Sequence, residues 1–490
     1  MQMTAAVVTT TKHPGMSDAL EREARAWMED PLSHFGMSNT RIHSVPRKEA
    51  EAVQLAALNL RLEQRRTEIP VLAKLADAQG IRSLAALEDA APLLFDHNVY
   101  KSYPVSLLAK QRFDRLTQWL DRLTPHDLSG VDVSACKSID EWLTLLQDRT
   151  PLDVATSSGT SGTISFFPKS KRDYTTSVRG FRAQLVQTFG NAPTQSDLHD
   201  KIHVLTPLYR DGHSSMGRFA HYLREIFCLG DDSYLYTAFS HKISSDLMWL
   251  AARLRAAAAK GDVTRVDVPE TLLARRPELE AMQKNAPAQQ SAFIRKVATE
   301  LKGKRVFALG TTPMFYEVAQ HGLADGMRGV FTPDSVVMGG GGAKGLVLPE
   351  DCDRTIMEFF GVPRMRMSYG MTELNAFTVT CEQSRYHFLP WVTLFVLDPD
   401  TGKPLPRSGV QTGRAAFFDM THDGTWGGIV TGDKITVIWD TPCPCGRSTV
   451  YLQGGIQRFS ELQGGDDKIT CAATPGAQAE AMDYLLSLDL

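Results

Sequence analysis

A layered α/β fold, with mixed parallel and antiparallel sheet, is predicted for this chain by three patterns in its 490 residues. From residue 201 onward, short β-branched and aromatic runs recur: 201–205, 305–309, 335–338, 391–397, 414–418 and 435–439. Helical stretches, 247–260 and 287–302, separate the earlier runs, whereas the later ones follow one another closely, so antiparallel pairing should dominate late in the chain. Before residue 70 the spacing is helical. Residues 18–30 and 47–68 carry it, with Val53, Ala57 and Leu60 at i, i+4 and i+7 and Arg and Glu on the other face. Ser83 is placed to cap the next helix, and the Ala-rich 251–259 reads as an ordinary solvent-side helix. The expected organisation is a helical N-terminal extension (1–64), a large core (65–455) and a short hinge with a C-terminal segment (456–490).

Size and charge narrow the function classes. At 43% hydrophobic content the chain can bury a large core, and it exceeds the ~250–300 residues at which single cores usually divide. A net charge of −3 provides neither a nucleic-acid footprint nor a polybasic membrane anchor. Residues 1–17 lack a basic start followed by an apolar run, and no window approaches the ~18 apolar residues of a membrane span, so a cytoplasmic protein without membrane contact is expected. Seven cysteines, an odd number in a large chain without a signal, argue against a disulfide framework.

Four short segments carry chemistry, in a fixed order. In Thr156-Ser157-Ser158-Gly159-Thr160-Ser161-Gly162 the glycines let the backbone turn tightly, while Ser157, Ser158, Thr160, Ser161 and Thr163 supply hydroxyls, a cradle for phosphate oxygens. No lysine follows the second glycine, so this is not a Walker A loop, and in isolation it reads more readily as an ordinary Ser/Thr/Gly loop. Lys169, Lys171 and Arg172 follow closely and offer cations. Gly339 to Gly342, with Gly340, Gly341 and Gly342 at its heart, offers bare backbone to a base. Tyr369, Thr372 and Glu373 follow the strand-like 364–368 and so stand at a strand's carboxyl end, where open α/β sheets place ligands. Tyr369 can stack on a purine, and Glu373 is the carboxylate placed to hold the magnesium that accompanies a nucleoside triphosphate. The alternative is a structural Tyr-Gly turn with a solvated glutamate. Asp433, in Thr431-Gly432-Asp433, offers a bidentate carboxylate to ribose hydroxyls.

This ordered set resembles the adenylate-forming superfamily of acyl-CoA ligases, peptide-synthetase adenylation domains and luciferases, and within it phenylacetate-CoA-ligase-like and acyl-protein-synthetase-like members. Residues 72–81, 83–94 and Tyr103-Pro104 are similar to the helical first segment of phenylacetate-CoA ligases, and Cys443-Pro444-Cys445-Gly446-Arg447 to their cysteine insert. The likeness spans roughly residues 65 to 470. It implies roles in ATP binding for Ser157 to Gly162, Gly340 to Gly342, Tyr369, Thr372 and Asp433. Thr160, Thr372 and Glu373 would act on the phosphates, Glu373 through Mg2+. Arg458 resembles the arginine that grips the same ribose, with Arg447 as its competitor. His213, in Asp211-Gly212-His213-Ser214-Ser215-Met216-Gly217, resembles a segment that gates the acyl pocket, although a surface-loop histidine reads as well. The implied fold is a large adenylate-forming domain. The implied reaction is attack of a small-molecule carboxylic acid on ATP, release of pyrophosphate and formation of an acyl adenylate, catalysed by positioning and charge neutralisation.

Departures from the resemblance shape the rest of the expectation. The Pro168-Lys169 pair arrives late after the loop, which leaves the phosphate-clamping cation open. After the hinge-like 458–468 there is room for one helix, about 477–486, where relatives carry a mobile domain with a catalytic lysine. The acyl group is therefore expected to pass to a separate acceptor: a carrier-protein thiol, coenzyme A, an amine or a partner reductase. Alternatives are a non-catalytic ligase-like subunit scaffolding a partner, and an acyl-protein synthetase with an acyl-enzyme on Cys471, which also reads as a buried structural thiol. Finally, Cys381 and His387 as C-x5-H, with Cys443 and Cys445 as C-x-C, form the ligand set of a closed tetrahedral Zn2+ site; reduced thiols without metal are the alternative.

Overall fold

In the computed structural model the described residues are 16–157, 163–186, 188–259, 261, 266, 268–340, 348–459 and 475–487. Thirteen strands among them join one sheet of two characters. Strands Leu235–Ile243, His203–Gly212, Val306–Leu309, Val336–Gly339 and Arg366–Tyr369 are neighbours in that order and all parallel. Beyond Tyr369 the direction alternates: Thr378–Thr380, Tyr386–His387, Tyr451–Leu452, Gly428–Ile438, Val410–Asp419 and Val392–Leu397 continue the sheet antiparallel. The expected α/β layering and the antiparallel shift are both present. The central parallel strands Val306–Leu309 and Val336–Gly339 are buried along their whole length, because helices such as Ser215–Ile226, Thr312–Ala324 and Cys352–Phe360 bury both faces.

The N-terminal helices share the core of the antiparallel half. Helix Arg47–Glu68 buries Val53, Ala57, Leu58 and Leu62 in one cluster with Trp391, Phe395 and Phe417. Its buried polar side chains bond to the loops of that half: Gln54 Nε2 donates to Pro390 O at 2.8 Å and Arg61 Nη2 to Met420 O at 3.1 Å. Helix Asp18–Glu29 starts where Ser17 accepts from Leu20 N, and buries Trp27 against Phe35.

Three local expectations are revised. Ser83 caps nothing: the next turn is a 3-10 segment, Leu87–Leu93, whose start is held by Asp89 Oδ2 accepting from Ala85 N and Ala86 N. Pro287 lies inside helix Arg276–Glu300 rather than opening it. Helix Ser245–Ala259 is not solvent-side, since Leu247, Met248, Leu250, Ala251 and Ala252 are buried and helix Pro475–Ser487 lies against it, with Ala481 and Leu485 fully covered. The helix expected at 477–486 is thus present and docked.

Helices Ile139–Arg149 and Ser245–Ala259 meet at their N-termini and cap each other. Asp140 accepts from Ser245 N at 2.9 Å, and Asp246 accepts from Ile139 N at 3.0 Å. Burial and the facing Asp140 push Asp246 up to about 7. A carboxyl raised in the folded state favours folding while protonated, and this contribution drains away as pH rises from the unfolded value toward about 7. Asp246→Asn keeps the acceptor oxygen and removes the titration. It should stabilise the protein by on the order of 1–3 kcal/mol at pH 8 and by less at pH 5, read as melting temperature against pH.

Candidate functional site

Residues from separate parts of the sequence meet at the carboxyl ends of the parallel strands. Strand Arg366–Tyr369 ends on Tyr369, strand Val336–Gly339 ends just before Gly340, and His213 follows strand His203–Gly212. The close approach of the first two explains a glycine: a Cβ at Gly340 would sit 2.8 Å from Ser368 Oγ. Gly341, Gly342 and Cys471 lie outside the described residues, as do Ser158, Gly159, Thr160, Ser161 and Gly162. The arms of that loop are described. Ala155–Ser157 pairs antiparallel with Ser165–Phe167, so Ser157 stands at the base of the loop opposite Ser165.

The incoming arm is docked on the His213 turn. Thr156 N and Oγ1 both donate to His213 O, at 2.7 and 3.1 Å. His213 is no surface-loop residue. It is 7% exposed, its Nε2 lies 3.1 Å from Thr144 Oγ1, its Nδ1 has no hydrogen-bond partner, and burial holds its pKa below the ordinary value. The next turn reaches across to the tyrosine segment, where Ser215 and Thr372 hydroxyls share a hydrogen bond at 2.6 Å.

Tyr369 and Asp433 are also joined. The Tyr369 hydroxyl donates to Asp433 Oδ2 at 2.8 Å, and Arg458 Nε lies 3.7 Å from Asp433 Oδ1. Sheet register makes this contact: Asp433 pairs directly with Arg458 of the short strand Gln457–Arg458. Arg447, the competing arginine, is elsewhere, bonded to Glu382 and lying over the Phe189 ring at 5.4 Å. Tyr369 is 8% exposed and tilted against Phe417, so it offers a ring edge and a held hydroxyl more than an open stacking face. Burial pushes the Glu373 carboxyl up to about 6, with Arg458 opposing, Asp433 adding and Lys169 opposing.

Several residues here carry no sequence signal. Arg414, on the neighbouring strand, donates to Thr431 O at 3.1 Å and lies over the Phe459 ring at 4.6 Å; only the strand register, Arg414 opposite Lys434, brings it there. Asn375, Asp419 and His422 are buried behind Glu373. Lys169, read in the sequence as a candidate phosphate cation, points instead into this layer. It is 1% exposed, and its Nζ donates to Leu374 O at 2.8 Å and to Asn375 Oδ1 at 3.1 Å.

The second cluster is compact. One ligand atom each from Cys381, His387, Cys443 and Cys445 lie within 4.8 Å of one another, three of the residues buried. Cys381 and Cys443 sulfurs are 3.9 Å apart and Cys445 Sγ is 3.3 Å from His387 Nε2. Sulfurs bound tetrahedrally to one ion at ~2.3 Å would stand ~3.8 Å apart, so the set fits a small tetrahedral cation. The tautomer fits too. His387 Nδ1 is 3.0 Å from the Thr449 carbonyl, which can only accept, so the proton sits on Nδ1 and Nε2 faces the thiols with its lone pair. Burial pushes the Cys443 thiol up to about 12. Without a cation the cluster cannot hold all its thiolates.

No protein-family model matches the chain, and no curated protein sequence does. Among solved structures it is similar to a 2-hydroxyisobutyryl-CoA ligase in an open conformation with 2-HIB-AMP and CoA, at 13% identity and a TM-score of 0.46, covering 85% of this chain and 71% of that one. The same ligase in its postadenylation state with 2-HIB-AMP gives 14% identity and 0.46, covering 86% and 70%. ATP-bound MatB from Rhodopseudomonas palustris gives 16% and 0.32, covering 62% and 48%. No helix among the described residues is long and apolar enough to cross a membrane.

Proposed function

We propose that the chain is an AMP-forming ligase of the adenylate-forming type, which activates a small carboxylic acid with ATP to an acyl adenylate and releases pyrophosphate. The observation that carries this reading is the joined set Tyr369, Asp433 and Arg458 beside Glu373, at the carboxyl ends of parallel strands and on the same edge as the arms of the Ser157 loop. Asp433 holds the ribose hydroxyls, oriented by Tyr369 and neutralised by Arg458. Gly340 presents backbone to the adenine, and the hydroxyls of Ser157 and Thr372 face the phosphates with the loop Ser158 to Gly162 and its Thr160. Glu373 holds Mg2+, which supplies charge neutralisation on the phosphates. His213 closes the acyl side of the site. No residue serves as covalent nucleophile in this step; the chain orients two reactants and excludes water. The adenylate passes to a separate acceptor, a carrier-protein thiol, coenzyme A, an amine or a partner reductase. We further assign Cys381, His387, Cys443 and Cys445 to a structural Zn2+, and the chain to the cytoplasm.

Pyrophosphate release from ATP with a panel of carboxylic acids, with and without hydroxylamine as acceptor, tests the reading. Acid-dependent release, lowered about 10²–10³-fold by Glu373→Gln, is expected, the scale for losing one electrostatic stabiliser of the transition state. ATP binding without pyrophosphate release for any acid would overturn it.

A further inference from the structure

We propose that Lys169 is a positioning residue whose buried ammonium fixes the backbone of the turn that carries Glu373. This rests on the adenylation reading above. Lys169 lies two residues beyond strand Ser165–Phe167, the outgoing arm of the Ser157 loop, and its own carbonyl accepts from Asp153 N at 2.7 Å. From there Nζ reaches under the turn to Leu374 O and Asn375 Oδ1, so one side chain ties the end of the loop arm to the residues directly after Glu373.

The surroundings complete a built frame. Asn375 Nδ2 donates to Asp173 Oδ1 at 2.6 Å, and Asp419 Oδ2 accepts from Asn375 N and Ala376 N, each at 2.9 Å. Asp173 also accepts from Ser170 N at 2.8 Å, Asp423 N at 2.8 Å and Gly424 N at 3.0 Å. Lys169 itself lies over the Tyr174 ring at 5.3 Å. All five backbone bonds to these acids would survive an apolar side chain at 169, and a methionine of similar length would fill the space without desolvating a charge. Burying an ammonium to hold a neutral carbonyl and an amide costs stability. What it provides is a fixed position for the one stretch of chain that bears the metal carboxylate.

The experiment compares wild type, Lys169→Gln and Asn375→Ala in acid-dependent pyrophosphate release against magnesium concentration. Asn375→Ala breaks the bridge between Lys169 and Asp173 while leaving every charge in place. Lys169→Gln is expected to raise the half-saturating magnesium concentration about tenfold, the lower end for losing a partner that orients a metal ligand, with turnover recovered at high magnesium. Asn375→Ala should show a smaller rise of the same kind. A residue that merely supported folding would lower turnover at every magnesium concentration, with no recovery. Folded Lys169→Gln with the wild-type magnesium requirement, or with a loss that magnesium does not repair, overturns the proposal. Where Lys169→Gln fails to fold, a wild-type magnesium requirement in Asn375→Ala overturns it instead. Wild type that releases no pyrophosphate defeats the adenylation reading itself, a separate result.

Discussion

Protein purified without added metal is expected to contain about one zinc per chain, and replacing Cys443 and Cys445 together with serine should remove it and lower stability by several kcal/mol. The four ligands come from three places: the end of strand Thr378–Thr380, the two-residue strand Tyr386–His387, and the turn after strand Gly428–Ile438. The backbone pairing that joins them is thin, two residue pairs each between 379–380 and 386–387, between 386–387 and 451–452, and between 437–438 and 451–452. A tetrahedral ion would therefore supply most of the cross-linking in this corner of the sheet. The loss should stay below the ~10–16 kcal/mol of free zinc peptides, because the rest of the sheet stands on its own core. Arg447, held by Glu382 beside the cluster, provides compensating positive charge for the thiolates. Metal analysis, with melting temperature before and after chelation, reads the effect. Well-folded protein without zinc would end the assignment and leave reduced thiols around a histidine.

How legible the molecule was in its sequence differs by type of signal. Helices with strong periodicity were legible: 47–68 is found at Arg47–Glu68, because Val53, Ala57 and Leu60 face one core. The strands were legible as apolar runs, but their lengths were not. Strand Gly428–Ile438 begins well before the expected 435 because Gly428, Ile429 and Val430 pair with Phe418, Phe417 and Ala416, and Asp433 and Lys434 pair with Arg458 and Gln457. That pairing joins distant residues and leaves no local trace. The site divides in the same way. Tyr369, Glu373 and Asp433 stand in short motifs, and the structure brings Tyr369 and Asp433 together. Arg414, Asn375 and His422 could not be named from sequence, since each reaches the site only through register or a turn. Lys169 was visible as a cation, yet its direction depends on the Leu374 carbonyl 205 residues away. The C-x-C and C-x5-H pairs were legible as candidate ligands, and sheet order, not sequence, brings the two pairs together.

Asp433→Ala should weaken ATP binding by about 2–3 kcal/mol, measured by calorimetry in the absence of any acid, since hydrogen bonds to charged groups contribute about 1.5–3 kcal/mol and the buried partner left behind adds a penalty. Two controls separate ligand contact from scaffold. The Asp433 side chain is 14% exposed, so one oxygen remains within reach of a ligand while Oδ2 is occupied by the Tyr369 hydroxyl. Tyr369→Phe removes only that orienting bond, leaves the carboxylate and its Arg458 neighbour in place, and should cost ATP affinity about 1 kcal/mol or less. Asp433→Asn keeps one acceptor oxygen and loses the charge facing Arg458, so it should fall between the two. If Asp433 served only to satisfy the buried tyrosine, the order would reverse: Tyr369→Phe would relieve the need for it, and the double variant would bind ATP as wild type does. A ribose-holding carboxylate predicts instead that the double variant binds as poorly as Asp433→Ala alone. Wild-type ATP affinity in Asp433→Ala would sink the assignment of this strand to the nucleotide.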